Sequence, residues 1–337
     1  MEKLLSICIP QYKETEEIIK PLLDSIAIQH HINFEELEVV IANDGSDVKL
    51  SREFLDTYNF DIKYIESEHK GVSGTRNVAF DNATSKFVMF CDADDCFFSV
   101  IGLWLVFQEI RKDNFDCLIS VFMEESRIPP NGEIGYIERG RITPDGQGGL
   151  DTTFVHGKVH RRKYLIDNMI RWDEDLQIHE DSYFNCLSMK CATPDRVVYC
   201  PIPFYLWRWR DESVCRHDPK YILKTMIDMI KSNTRLVRQL LMRGKRQDAQ
   251  FYVTSLIYDC YLLMNKAEWL NQENKEYRDN TELKFRDYYK EFKELFDTID
   301  TQLKNQIYFS VKNGKMQEGV FTEEQTFNQW IKHIEEL

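Results

Sequence analysis

The chain has 337 residues, 43% of them hydrophobic, and carries a formal net charge of −13 at pH 7. This hydrophobic content fills a globular core and excludes a disordered chain, and the length leaves room for two or three domains. The acidity argues against nonspecific nucleic-acid binding, which draws on Lys and Arg neutralising phosphates, and no apolar run reaches the roughly 18–20 residues of a membrane span.

"LLSICI" (4–9) reads as a buried strand stopped by Pro10. "EEIIKPLLDSIAIQ" (16–29) has helical spacing, with Pro21 tolerated in a first turn or at a kink. "LEVVIAND" (37–44) and "FDIKYIES" (60–67) are the next strands, "VSGTRNVAFDNA" (72–83) a helix, and "FVMFC" (87–91) a strand covered on both faces. Strands alternating with amphipathic segments predict a parallel sheet flanked by helices, an α/β fold whose ligand crevice borders the strands' C-terminal ends. "VIGLWLVFQEIRKD" (100–113) predicts a packed helix and "FDCLISVFME" (115–124) a further strand. The Gly- and Pro-rich stretch 129–150 reads as a hairpin or mobile loop.

"HGKVHRRKY" (156–164) and "WRWRDESVCRH" (207–217) are basic islands, suited to a solvated face or to a bound polyanion or diphosphate. From about Lys220 the pattern changes to long amphipathic helices, with Gly244 as a terminator. The expected organisation is a domain over 1–218 and a helical C-terminal module over 219–337, serving acceptor binding or homo-oligomerisation. The N-terminal "MEKLLSICIPQYKE" lacks the marks of a secretory leader, and the nine cysteines form no CxxC pair. A reducing, cytoplasmic setting follows, with a peripheral position at the inner face of a membrane compatible with it.

Three sets of residues are candidates for chemistry. "CDADD" (91–95) follows a buried strand; if the extension continues, Asp92 and Asp94 share a face, where like charges share a proton or a cation. The structural alternative is a loop in which Asp92 or Asp95 caps the next helix. "IANDGSD" ends the second strand, so Asp44 either bonds the edge of a base or ribose or closes an Asx turn. In "QIHEDSYFN", Glu180 and Asp181 open a helix, either favouring its dipole or presenting a general base to a hydroxyl nucleophile. In "FYLWRWRDESVCRH" alternation puts Trp207 and Trp209 on one side and Arg208 and Arg210 on the other, as on an edge strand; the other reading makes the arginines, Ser213, Arg216 and His217 a lid over a diphosphate, with His217 also a metal-ligand candidate.

The ordered set "SICIPQYKETEEI", "VVIANDGSD", "GVSGTRNVAFDNATSKFVMFCDADD", "LQIHEDSYF" and "FYLWRWRDESV" resembles family 2 of the nucleotide-sugar glycosyltransferases across about residues 4–217. The resemblance implies the GT-A (Rossmann-like) fold and a metal-dependent inverting transfer from a UDP-sugar to a hydroxyl on a glycan, wall polymer or other macromolecule. It implies that Pro10, Tyr12 and Glu14 border the nucleotide, that Asp44 contacts uracil or ribose, and that Arg76 supports that pocket. Asp92 and Asp94 match the DxD motif, with Asp94 the usual ligand of Mn²⁺ or Mg²⁺, and Asp181 matches the catalytic base with Glu180 alongside. "TRN" stands where "ARN" is familiar and "IPQYK" where "IPTYN" is; "QxxRW" is absent, so processivity is unsupported. The alternatives are a nucleotidyltransferase, which would release pyrophosphate, and a catalytically silent glycan-binding scaffold, which would bind donor without turnover.

Overall fold

A computed structural model describes residues 3–128, 132–142, 153–210, 221–266, 270–315 and 325–337. The chain divides into two compact units, Met1–Ser213 and Val214–Leu337.

The first unit is built on a seven-stranded sheet. Its strands are β1 (Leu5–Gln11), β2 (Leu37–Asp44), β3 (Asp61–Ser67), β4 (Phe87–Phe90), β6 (Cys117–Ser120), β9 (Lys158–Arg161) and β10 (Val197–Cys200), in the order β10-β6-β9-β4-β1-β2-β3. Alternation along the central strands covers both faces. Ile7, Ile9, Val39, Ile41 and Met89 join one core with Ile19, Leu22 and Ile26 of α1 (Glu16–Ala27) and with Val106 and Phe107 of α4 (Gly102–Lys112). The intervening Cys8, Val40 and Val88 are buried on the other side, where α3 (Gly71–Asn82) packs on β1 and β2.

Several expectations require correction. β1 runs through Pro10 to Gln11, still paired with β2 at Pro10↔Ala42. The Cys8 carbonyl faces β4, accepting from Cys91 N at 3.0 Å, so alternation turns the nitrogen of Pro10 to the same side. The β4 ladder has ended there, at Cys8↔Phe90, and the missing N–H is not needed. Pro21 lies beyond the first turn of α1. The sheet is mixed, because β9 runs antiparallel to both β4 and β6. β9 comes from the first basic island, so Lys158 and His160 are core residues and not a solvated face. The Lys158 ammonium donates to the carbonyls of Phe154 and His156, while burial, with Lys158 nearby, drives the His160 imidazole down to about 3 and keeps it uncharged.

The stretch 115–124 is two strands and not one. β6 ends at Ser120, and β7 (Phe122–Ile128) begins in a second sheet of order β5-β11-β7-β8, with β5 at Cys96–Phe97, β8 at Glu133–Arg139 and β11 at Tyr205–Trp207. β7 and β8 pair antiparallel, as a hairpin requires; residues 129–131 and 143–150 of the expected hairpin or loop lie outside the described residues. β11 is interior to its sheet, between β5 and β7, so the edge-strand reading of the tryptophan–arginine alternation does not hold for it.

The second unit contains helices Tyr221–Met242, Arg246–Met264, Lys275–Asp297, Thr301–Lys315 and Phe327–Glu336. Met226, Ile230, Val237, Ile257, Phe285 and Trp330 are among its buried residues. Gly244, at φ +72°, sits in the turn between the first two helices. A cavity of about 580 Å³ is lined by Trp330, Asn265, Arg278 and Glu282 among others. Its charged lining is largely paired internally, Lys275 with Asp279 and His333 with Glu282. No helix among the described residues is long and apolar enough to cross a membrane.

Candidate active site

The C-terminal ends of β1, β2 and β3 are tied together by Asn43, whose amide donates to Gln11 Oε1 at 2.7 Å and to the Tyr64 hydroxyl at 3.0 Å. Asn43 Oδ1 also accepts from Ser46 N at 2.8 Å. Asn43 therefore performs the turn closure expected as an alternative for Asp44. The nearly buried Asp44 carboxylate instead turns toward the segment before α3, with Oδ1 accepting from Lys70 N at 2.6 Å and Oδ2 lying 2.9 Å from His69 Nδ1. The Tyr12 ring lies 4.9 Å from the His69 ring, centroid to centroid, and Tyr12 N donates to Glu14 Oε2 at 2.8 Å.

Gly45 makes this close approach feasible. It adopts φ +67°, and a Cβ there would lie 2.6 Å from His69 N. Gly45→Ala is expected to lower stability by at least about 1–2 kcal/mol from the left-handed conformation alone, seen as a lower urea midpoint, and to weaken nucleotide binding by displacing His69.

Beyond β4 the extension does not continue. Residues 93–94 form a turn, and Asp95 N donates to Asp92 O at 3.3 Å. Asp92 and Asp94 consequently part company: Asp92 Oδ1 is 2.7 Å from Arg76 Nη2, whereas Asp94 Oδ2 is 2.7 Å from Arg210 Nη1. Neither Asp92 nor Asp95 caps α4, whose N-cap is Ile101. Asp95 is buried, accepting from the Tyr205 hydroxyl at 2.7 Å and from Arg208 N at 2.9 Å. Burial, then the charges of Asp94 and Asp92, push its carboxyl well above the usual carboxylate range. Arg208 Nη1 donates to Asp94 O at 3.3 Å.

Glu180 and Asp181 occupy the first two positions of α6 (Glu180–Cys191), entered through His179 at φ +60°. Asp181 Oδ1 accepts from Ser182 N at 2.8 Å. Arg76 on α3 links this pair to the first acidic group: its Nη1 is 2.9 Å from Glu180 Oε1 while Nη2 holds Asp92. The guanidinium is buried and lies 4.5 Å above the Trp172 ring, which itself stacks on Phe184 at 4.2 Å. Arg76 and Glu180, 104 residues apart in sequence, thus meet in one ion pair.

The sequence profile described as Glycosyl transferase family 2 matches residues 6–158, the span that holds Tyr12, Asp44, Arg76 and the three aspartates. Residues 6–158 are a glycosyltransferase family 2 domain. Among curated proteins, the chain is similar to the poly(ribitol-phosphate) beta-N-acetylglucosaminyltransferase TarS of Staphylococcus aureus, 32% identical over 53% of this chain and 31% of TarS. The chain spans less than half the length of the curated relatives it matches. The structure of S. aureus TarS 1–349 with UDP-GlcNAc superposes with TM-score 0.64 at 18% identity, covering 96% of this chain and 98% of that one. The mannosyltransferase PcManGT of Pyrobaculum calidifontis, solved with GDP-Man and Mn²⁺, superposes with TM-score 0.52 at 16% identity over 89% of each chain. These likenesses show the GT-A fold, a Rossmann-like α/β sheet followed by a helical region.

Within the first unit, Pro10, Tyr12, Glu14 and Asp44 lie on or just beyond the ends of β1 and β2, while Arg76, Asp92, Asp94, Glu180, Arg208 and Arg210 are joined through the contacts above. Ser213, Arg216 and His217 lie outside the described residues. Burial raises the Asp181 carboxyl well above the ordinary range; Glu180 beside it adds to the rise and Arg76 offsets part of it. Asp92, Asp95 and His156 offer ligand atoms all within 4.8 Å of one another. Sequence reading missed His69, Tyr205, His156 and Trp172. His156 stands in the basic island 156–164, which hides that it is buried; Tyr205 and Trp172 are core aromatics that no motif marks; and His69 sits in the polar run "ESEHKG" with no period to mark it.

Proposed function

We propose that the first unit transfers a sugar from a UDP-sugar to an acceptor hydroxyl, with inversion at the anomeric carbon and the help of a divalent cation. The observation that carries this reading is Arg76, paired at once with Asp92 after β4 and with Glu180 at the start of α6. Donor-side and acceptor-side carboxylates are then held at one locus, as a single displacement needs.

Asp181 takes the acceptor proton as the hydroxyl oxygen bonds to the anomeric carbon; the bond from that carbon to the diphosphate oxygen breaks, and UDP departs with the electron pair. Its raised affinity for a proton suits a base operating near neutral pH. Tyr12, Glu14 and Asp44 receive the nucleoside, and Arg208 and Arg210 stand ready to meet diphosphate charge beside Asp94. The carboxylates after β4 suit a hard cation, Mn²⁺ or Mg²⁺: Asp94 would hold it once freed from Arg210, next to Asp92, Asp95 and His156, whose ligand atoms lie within 4.8 Å of one another. When bound, such a cation neutralises charge on the leaving diphosphate. The names of TarS and its ligand support an N-acetylhexosamine donor and a phosphate-containing wall polymer as acceptor.

Thermal denaturation tests the donor assignment. UDP at about 100 times its dissociation constant should add roughly 2.7 kcal/mol of stability, more with Mn²⁺ than without, and Asp94→Asn should remove the Mn²⁺ increment while leaving the metal-free UDP shift. No response to any nucleotide at millimolar concentration would overturn the reading. Release of UDP on turnover, against pyrophosphate, separates sugar transfer from nucleotidyl transfer.

A further inference from the structure

We propose that His69 is a base-reading positioning residue: by holding the Asp44 carboxylate in a fixed plane, it makes the site select a pyrimidine with an N–H at position 3, uracil, over cytosine. The inference rests on the nucleotide-donor reading above and adds the residue that sets its base selectivity.

The geometry has three parts. The Asp44 side chain is 5% exposed, so few orientations are open to it; Oδ1 accepts from Lys70 N at 2.6 Å, and His69 Nδ1 lies 2.9 Å from Oδ2 and 3.2 Å from the Asp44 carbonyl oxygen. Lys70 N on one oxygen and the imidazole beside the other restrict the carboxylate plane, and each oxygen keeps a lone pair for an incoming group. A carboxylate can only accept there, so it matches the imide N–H of uracil and opposes the bare N3 of cytosine. A site built around one hydrogen bond rejects a ligand lacking the donor because a buried acceptor is then left unsatisfied.

Second, His69 Nδ1 faces two acceptors of Asp44, the carbonyl oxygen and Oδ2, so the tautomer with its proton on Nδ1 is the one that fits. The imidazole is mostly exposed, with 61% of its side-chain surface accessible, and lies against Tyr12, itself 41% exposed. Tyr12 and His69 together offer an aromatic surface beside Asp44 for a flat ring. Third, the approach is built into the backbone. Gly45, which has no Cβ to intrude, brings the end of β2 flush against Glu68 and His69, and the Ser67 hydroxyl donates to Asn43 O at 2.8 Å. His69 is therefore held at Asp44 from both strands.

The two contributions of His69 can be separated by substitution. His69→Asn keeps an N–H near the Nδ1 position but removes the ring; His69→Phe keeps a ring and removes the donor. Dissociation constants for UDP and CDP would be measured by calorimetry on the full chain and both variants. The wild-type chain should prefer UDP by tenfold or more. His69→Phe should cut that preference at least fivefold. His69→Asn should weaken both nucleotides by similar factors and keep the preference within about twofold of wild type. An unchanged preference in His69→Phe, or equal binding of UDP and CDP by the wild-type chain, overturns the role of His69 while leaving the donor reading standing. Failure of the wild-type chain to bind UDP or any UDP-sugar overturns the donor reading itself.

Discussion

Replacing Asp181 with Asn is expected to slow sugar transfer by about 10²–10⁴-fold, the usual contribution of one positioned general base, with UDP binding unchanged. The amide keeps the shape of the side chain but cannot take the acceptor proton. Single-turnover transfer and nucleotide titration on the same preparation check the two halves; a variant that turns over at the wild-type rate removes Asp181 from the mechanism. The acid limb of the pH–rate profile should lie above the ordinary carboxylate range, since burial and Glu180 raise the Asp181 carboxyl. The same shift bears on stability with a definite sign. The folded state binds this proton more tightly than the unfolded state, so stability falls as pH rises from the ordinary carboxylate value through the raised one. Above the ordinary carboxylate value Asp181 therefore costs stability, and Asp181→Asn should melt no lower than wild type while losing activity.

Arg76→Met is expected to act in the opposite way, through stability first. The substitution keeps a long side chain over Trp172 but leaves Asp92 and Glu180 without the cation that joins them. Breaking a buried ion pair from one side typically costs about 3–5 kcal/mol. For a unit of this size each kcal/mol lowers Tm by about 2–4 °C, so calorimetry should show a large drop. Adding Glu180→Gln should recover part of the loss, because one stranded charge is then removed; a double variant as unstable as the sum of the two singles would show that Arg76 stabilises by packing alone. Arg76→Lys should fall short of rescue, since a single ammonium cannot fork to two carboxylates as a guanidinium does.

What the sequence made legible follows from burial. Strands β1, β2 and β4 are apolar on both faces, so their runs stand out, and the amphipathic spacing of α1 and α4 stands out beside them. β9 was hidden because its "KVHR" has no apolar run; Lys158 is buried there only because carbonyls of Phe154 and His156 receive its ammonium, a compensation invisible before the chain is folded. The break at Val121 was hidden for the opposite reason: both sides of it are apolar, and period alone does not tell one strand from two in different sheets. At the site, the acids were recognisable by type and order but not by partner. Asn43 and Asp44 are adjacent and chemically alike, and only the fold assigns the turn to one and the His69 contact to the other.

The long-range ties of the site also fix when it can exist. Asp92 N donates to the Tyr205 hydroxyl across 113 residues, and Arg76 reaches Glu180 across 104, whereas β1, β2 and β3 pair within the first 67 residues. During synthesis at about 5–20 residues per second, these three strands precede α6 and β11 by several seconds or more. A nascent chain halted before α6 therefore has Asp92 for its Arg76 but not yet Glu180, while Asp95 waits for the Tyr205 hydroxyl and Asp94 for Arg210. The candidate site is thus closed by the last-made part of the first unit, and a chain ended before β11 keeps its strands while leaving two of the aspartates without these partners.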